Sequence, residues 1–361
     1  MNILLFNWRD ISNPVHGGAE VFTHEMIKRW VKKGHKVTMF SSAFEGCKDE
    51  ETIDGVRIIR AGGKYTVYKH AKKYYKKFFS KDDFDIIIDE INTRPFFTLG
   101  FVDNGTKIIG LIHQLAREFW YYETPFPISY LGYHFFEDRW LKKYLNIPMV
   151  TVSNSTKNDL IDLGFKNIYL VTEGIKFKPF EKVPEKEENP TIIFLGRLKP
   201  AKRPDHVIKA FEIVKEKIPN ARLNIVGDGY LRKNLEQIAG EGVNFFKYVS
   251  EEEKIKLLSR AWLMIHPSVR EGWGINVIEA NACGTPCIAY DVGGLRDSIN
   301  DGETGILIKE NGNIKQLADA IYEFLSDDVK RHNFSKKALK WSNNFSWDKG
   351  ADEFLNILKE I

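Results

Sequence analysis

Short apolar runs alternate with longer stretches of helical spacing along most of this chain. Residues 2–7, NILLFN, form a run of the length expected for a buried strand. A loop with His16, Gly17, Gly18, Ala19 and Glu20 follows. Over residues 19–33 the apolar positions Val21, Phe22, Met26, Trp30 and Val31 recur at the spacing of one helix face, and Gly34 closes the pattern. Residues 36–40 return to a strand. Strand, glycine loop, helix, strand is the opening of a doubly wound α/β domain. Further strands are predicted over 56–59, 84–89, 107–112, 149–152 and 168–171, with a capped helix over 153–163 that ends at Gly164.

Residues 181–190, EKVPEKEENP, interrupt this rhythm and read as the linker region into a second domain. The rhythm restarts over 191–195. Strands over 222–226, 243–246, 263–265 and 286–289 are each followed by a helix, so the second half is also read as a parallel sheet. A last amphipathic helix is predicted over 345–361. The expected division is residues 1–175, joined by the 345–361 helix, and residues 176–344. The halves share an architecture but no sequence repeat.

Two stretches stand apart. Residues 64–81 hold seven lysines and no acid, interleaved with Tyr65, Tyr68, Tyr74, Tyr75, Phe78 and Phe79. As a helix, this stretch could lie on anionic lipid through Lys69, Lys72, Lys73, Lys76 and Lys77, with its aromatics at the headgroups. It could equally be a surface helix whose aromatics pack inward and whose lysines are solvated. Residues 118–140 are rich in aromatics and broken by Pro125 and Pro127. Packing is expected for most of these rings and acceptor contact for a few.

Composition narrows the classes. The 361 residues suit two domains, and 43% hydrophobic with 28% charged residues is a soluble globular balance. A formal charge of +4, without a basic arm, gives no sign of a nucleic-acid partner. No apolar run approaches the roughly 18 residues that span a bilayer. The start lacks the features of a signal peptide. Cys47, Cys283 and Cys287 make no disulfide framework and no zinc set, which fits a reducing cytoplasm. Asp83-Phe84-Asp85 spells a DxD, but at the end of its strand opposite the expected crevice, so no metal is expected. His113 stands at the carboxyl end of the 107–112 strand, where sites of open sheets gather, although a structural histidine fits there too.

The chemistry concentrates in residues 270–286, REGWGINVIEANACGTP. Gly272 and Gly274 precede an apolar run over 275–282 that reads as a helix, stopped by Gly284 and Pro286. Glu271 lies in the loop before that helix and Glu279 about one turn inside it. The first amides of the helix suit an anion. The flanking carboxylates repel phosphate but accept hydrogen bonds from hydroxyls. A nucleotide sugar, with its phosphates between two hydroxyl-rich ends, satisfies all three features. A capped helix with solvated acids is the plainer reading of the same window.

GRLKPAK at 196–202, IVGDG at 225–229, EGWGINVIEA at 271–280 and CGTP at 283–286 occur in this order behind HGGAE at 16–20. Together they closely resemble the retaining GT-B glycosyltransferases of family 4, the glycosyl transferases group 1, over nearly the whole chain. The resemblance implies two Rossmann-like doubly wound α/β domains facing each other across a cleft, the first on the acceptor side and the second binding the donor. It assigns Arg197 and Lys202 to the diphosphate, Glu279 to the ribose hydroxyls and Glu271 to the hydroxyls of the donor sugar. The amides of Gly272, Trp273, Gly274, Ile275 and Asn276 meet the sugar and distal phosphate. Gly196 and Gly227 complete the donor set, and Gly17 and Gly18 approach from the other domain. His113 matches the position near the anomeric carbon, so His113, Glu271, Arg197 and Lys202 are the implied catalytic residues.

Two departures are GDGY at 227–230, for the commoner GDGP, and Glu173-Gly174 in place of an NG turn. The implied reaction moves a sugar from a nucleoside diphosphate to a hydroxyl, with retention and without a metal or other cofactor. The basic aromatic stretch favours a lipid-linked or cell-envelope glycan acceptor and a peripheral place on the cytoplasmic membrane face. A soluble acceptor, or a nucleotide-sugar-binding protein without catalysis, are the alternatives.

Overall fold

Most of the short apolar runs become strands buried on both faces in a computed structural model that describes residues 1–103 and 105–361. The chain divides into two units. One comprises Met1–Arg117, Tyr130–Gly174 and Ser346–Ile361; the other comprises Glu118–Ser129 and Ile175–Phe345.

The first unit is built on an eight-stranded sheet. Its strands are β1 (Asn2–Phe6), β2 (Lys36–Ser41), β3 (Glu50–Ile53), β4 (Val56–Arg60), β5 (Ile86–Glu90), β6 (Lys107–Ile112), β7 (Met149–Thr151) and β8 (Ile168–Leu170), in the order β3-β4-β2-β1-β5-β6-β7-β8. All neighbours are parallel except β3 with β4. Leu5 sits opposite Met39 on one side and Ile88 on the other. Parallel strands carry helices on both faces, so their runs are continuously apolar rather than alternating.

The basic aromatic stretch becomes the helix Val67–Lys77. Val67, Ala71 and Tyr75 recur every four residues and are buried. Tyr68, Tyr74 and Phe79 pack with them against Phe6, Phe40 and Phe96. Lys69, Lys72, Lys73, Lys76 and Lys77 are exposed, and of the six aromatics only Tyr65 and Phe78 share that exposure. Most of the aromatic surface is therefore spent inside the unit. Among the described residues, no helix is long and apolar enough to cross a membrane.

The helix Trp347–Glu360 belongs to the first unit and lies on the helix Gly18–Lys32. The indole N–H of Trp30 donates to the Ala351 carbonyl at 2.9 Å, and the Trp30 and Phe354 rings meet edge to face at 5.1 Å. Phe22 meets Trp347 at 6.0 Å.

The second unit holds a six-stranded sheet, parallel throughout, in the order β11-β10-β9-β12-β13-β14. Its strands are β9 (Thr191–Leu195), β10 (Arg222–Val226), β11 (Val243–Phe246), β12 (Leu263–His266), β13 (Cys287–Tyr290) and β14 (Gly305–Ile308). The segment Glu118–Ser129, placed with the first domain on sequence grounds, clusters with this unit instead. Its proline-broken rings offer no continuous helix face, and they dock on cations. Lys199 reaches Glu123 at 3.0 Å and lies 5.0 Å from the Phe119 ring, while Arg203 donates to the Tyr122 hydroxyl at 2.9 Å.

Candidate functional site

In the second unit the chain steps outward from β9 through β10 to β11, then resumes at β12 on the other side of β9. β9 and β12 are thus neighbours where the winding reverses, the position at which open sheets bind ligands beyond their carboxyl ends. The loops after these two strands carry GRLKPAK and REGWG. They are tied together by the Val269 N–H, which donates to the Ala201 carbonyl at 3.0 Å. The loop after β10 joins them: the Leu198 N–H donates to the Asp228 carbonyl at 2.9 Å. Gly227, with φ +136°, lies so close to Gly196 that a Cβ on it would fall 2.0 Å from the Gly196 carbonyl oxygen. Gly196 and Gly227 therefore set the spacing of the loops.

Lys202 sits at the end of the 3-10 turn Pro200–Lys202, where its ammonium pairs with Glu271 Oε1. His266, the last residue of β12, brings Nε2 to 2.9 Å from the same oxygen. Burial would raise the pKa of Glu271. The Lys202 charge and the His266 contact outweigh it and hold the carboxyl well below the usual carboxylate range. Glu271 is therefore an ionised acceptor at neutral pH and has no proton to donate.

Lys199 has two cationic neighbours, Lys202 and Arg197. Burial, and the charges of Lys202 and Arg197, push Lys199 down to about 8 against the pull of Glu123. Lys202 is paired with Glu271 and Lys199 with Glu123, and three cations gathered after one strand suit an anionic ligand. The helix Ile275–Ala282 starts beside them. Gly274, at φ +112°, makes the left-handed turn into it, and the Asn276 side-chain amide donates to the Leu195 carbonyl at 3.0 Å, fixing the helix start to the end of β9. Val277 N–H bonds back to Gly274, while Ile275 and Asn276 hold the first two helical positions, whose amides have no carbonyl one turn back. Trp273 is buried with its ring 5.5 Å from that of Phe345. Gly272 is half-buried in the same loop.

Glu279, one turn into the helix, is 3% exposed. Its two oxygens accept from Lys254 Nζ at 2.9 and 3.0 Å. Burial raises its pKa, and the Lys254 charge opposes that rise.

The first unit has its own reversal between β1 and β5. The loop after β1 is braced from behind by a buried fork: Arg60 Nε and Nη2 donate to Asp10 at 2.7 and 2.8 Å, and Ser41 adds a third bond to Asp10 at 2.8 Å. Gly17 and Gly18 open the helix Gly18–Lys32, but the Gly17 N–H is committed to Glu20 at 2.6 Å, and Glu20 is held by Arg9 at 2.9 Å. The backbone donors left at that turn include Gly18 and Ala19, at the first two helical positions. His113 is buried at the end of β6, with Nε2 3.4 Å from Glu90 Oε1 at the end of β5 and its ring 5.0 Å from Phe22. Burial pushes Glu90 up, His113 opposes it, and the Thr23 hydroxyl donates to Glu90 at 2.8 Å.

Within the second unit the structure brings together Gly196, Arg197, Lys202, Gly227, Glu271, residues 272–276 and Glu279. Sequence reasoning missed His266, Lys254, Lys199 and Glu90. His266 carried the signal that singled out His113, a histidine at a strand's carboxyl end.

The family model Glycosyltransferase Family 4 matches residues 16–177, and Glycosyl transferases group 1 matches residues 176–341. The D-inositol 3-phosphate glycosyltransferase of Nocardioides sp. is 30% identical over 398 residues, covering 95% of this chain and 85% of that protein. The sucrose-phosphate synthase of Thermosynechococcus elongatus shares the fold with a TM-score of 0.82 at 19% identity, over 99% of this chain and 98% of that one. Anabaena HepE, in complex with UDP-glucose, shares it with a TM-score of 0.73 at 16% identity, over 100% of both chains. The fold is GT-B.

Proposed function

Because the chain belongs to the glycosyl transferases group 1, we propose that it moves a sugar, with retention, from a nucleoside diphosphate held in its second unit to a hydroxyl acceptor. The observation that carries the reading is the crowding of Arg197, Lys199 and Lys202 beside the start of the helix Ile275–Ala282, with Glu271 and Glu279 as buried acceptors at its edges. Anabaena HepE, which shares the fold, binds UDP-glucose, and this supports the donor class.

As the glycosidic bond breaks, negative charge grows on the departing diphosphate. Arg197, Lys202 and the amides of 272–276 are the groups proposed to stabilise it, which leaves no requirement for a metal. Glu271 accepts from hydroxyls of the sugar, and Glu279 accepts from the ribose. The strongly lowered pKa of Glu271 makes it a poor base, so the acceptor's proton is proposed to go to the departing phosphate. His113 is proposed to contact the transferred sugar, and Gly17 and Gly18 to approach the ligand with backbone.

The exposed lysines of the helix Val67–Lys77 favour a lipid-linked or envelope glycan acceptor and a peripheral place on the cytoplasmic membrane face. A soluble acceptor is the second reading, favoured by the D-inositol 3-phosphate named for the Nocardioides relative. The test is a screen of UDP-, GDP- and ADP-sugars for released nucleoside diphosphate, with the product's anomeric configuration read by NMR. Binding without release in the presence of a broad acceptor panel would reduce the protein to a nucleotide-sugar binder. An inverted product would overturn retention.

A further inference from the structure

Lys254 lies in the helix Glu251–Arg260 and spends its ammonium protons on carboxylates. Nζ is 2.9 and 3.0 Å from the two oxygens of Glu279 and 2.9 Å from Glu251 Oε2. An ammonium has three protons, so these three bonds leave none for a ligand. A carboxylate has about four lone-pair sites. Lys254 takes two, one on each oxygen of Glu279, and about two remain. Ribose presents two adjacent hydroxyls, each with one proton to give.

Building on the donor reading above, we propose that Lys254 is a positioning residue for the nucleotide: it orients the Glu279 carboxylate side-on and keeps it ionised, so that each oxygen accepts one ribose hydroxyl. A protonated Glu279 would present a donor where an acceptor is needed. Burial pushes Glu279 toward that protonated form. The charged and titratable groups facing it are Lys254 and Glu251 from the helix Glu251–Arg260, Lys176 from the segment entering the unit, and Cys283 just past the end of its own helix. Glu251 adds to the upward push, and both lysines oppose it. The Lys254 charge is the largest opposing influence, and Lys254 is the one lysine shown bonded to the carboxylate.

The experiment is calorimetric binding of UDP, GDP and ADP, and of their 2′-deoxy counterparts, to the full chain between pH 6 and 9. Wild-type protein prefers the ribonucleotide by at least about tenfold, because the deoxy ligand leaves a buried acceptor unpaired. In Lys254→Met the preference at pH 7 falls to about two- to threefold. It recovers as pH rises and Glu279 ionises without help, a response that a loss of packing would not produce. Lys254→Arg keeps the charge and retains most of the preference. Glu279→Gln lowers the preference at every pH with no recovery. Unchanged preference in Lys254→Met, or an Arg variant as impaired as the Met variant, overturns the positioning role. Unchanged preference in Glu279→Gln overturns the ribose contact beneath it, and wild-type protein that binds none of the three nucleotides overturns the donor reading itself.

Discussion

Lys202→Met keeps the reach of the side chain and removes its charge. Glu271, whose side chain is 13% exposed, then keeps its contact with His266 and loses the cation that offsets its burial. Stranding one member of a buried pair costs about 3–5 kcal/mol, and the surviving His266 contact puts the expected loss near the lower end, about 3 kcal/mol. Adding Glu271→Gln removes the stranded charge, and stability returns to within about 1 kcal/mol of wild type. Activity does not follow. A donor aimed at charge that develops in the transition state is worth about 2.7–4 kcal/mol, or 10²–10³-fold in kcat, and the double variant still lacks it. Urea unfolding at pH 7.5 reads the first quantity, and nucleoside diphosphate release from the donor found by screening reads the second. Acid adds a check of sign. Because the folded pKa of Glu271 lies below its ordinary 4.5, the pair's contribution is fully present above that pH and is lost as pH falls toward the folded value. Lys202→Met should flatten this part of the acid profile. A double variant that recovers more than about a tenth of wild-type turnover, against the expected 10²–10³-fold loss, would refute the assignment of Lys202 to the leaving group.

Three further outcomes are expected. Arg60→Leu leaves Asp10 buried beside Ser41 without its cation and lowers unfolding free energy by about 3–5 kcal/mol, read as a lower urea midpoint. Gly227→Ala cannot place its Cβ 2.0 Å from the Gly196 carbonyl without moving a loop, so it lowers the melting temperature and weakens nucleotide binding together; a variant with normal values for both contradicts the close approach. Replacing Lys72, Lys73, Lys76 and Lys77 by serine weakens salt-sensitive binding to anionic vesicles by about 10³-fold, at about 1 kcal/mol per lysine near a charged surface, and equal sedimentation of parent and variant ends the membrane proposal.

The strands that could be read from sequence are the ones buried on both faces. β1, β5 and β9 carry continuous apolar runs because helices cover both sides of the sheets. β3 could not be read, since EETI is an exposed edge paired with β4 alone and carries no apolar pattern. β14 is four residues between turn-rich segments, too short to separate from its loop. The helix Asp328–Ser342 is polar enough to have no clear apolar stripe, although Phe334, Ala338 and Leu339 are buried. At the site, Glu271 and Glu279 were legible because glycines and a helix start frame them. Their partners were not. Lys254 lies in EEEKIK, a run that reads as a solvated helix face, and its burial depends on a neighbouring helix that sequence spacing does not reveal. His266 fell just beyond the predicted end of its strand at 265, while the structure extends β12 to include it.

Trp30, Phe22 and their neighbours on the helix Gly18–Lys32 are covered by Trp347 and Phe354, which come from the far end of the sequence. During synthesis that covering arrives last. At roughly 5–20 residues per second, the ribosome needs roughly 10–40 s to pass from Gly174 to the end of the helix Trp347–Glu360. Throughout that interval the first unit presents an unfinished oily groove, and the second unit has its whole chain at Phe345, before that helix is made. Order of translation and order of completion are therefore inverted, and a nascent chain stalled before that helix would be a ready client for chaperones.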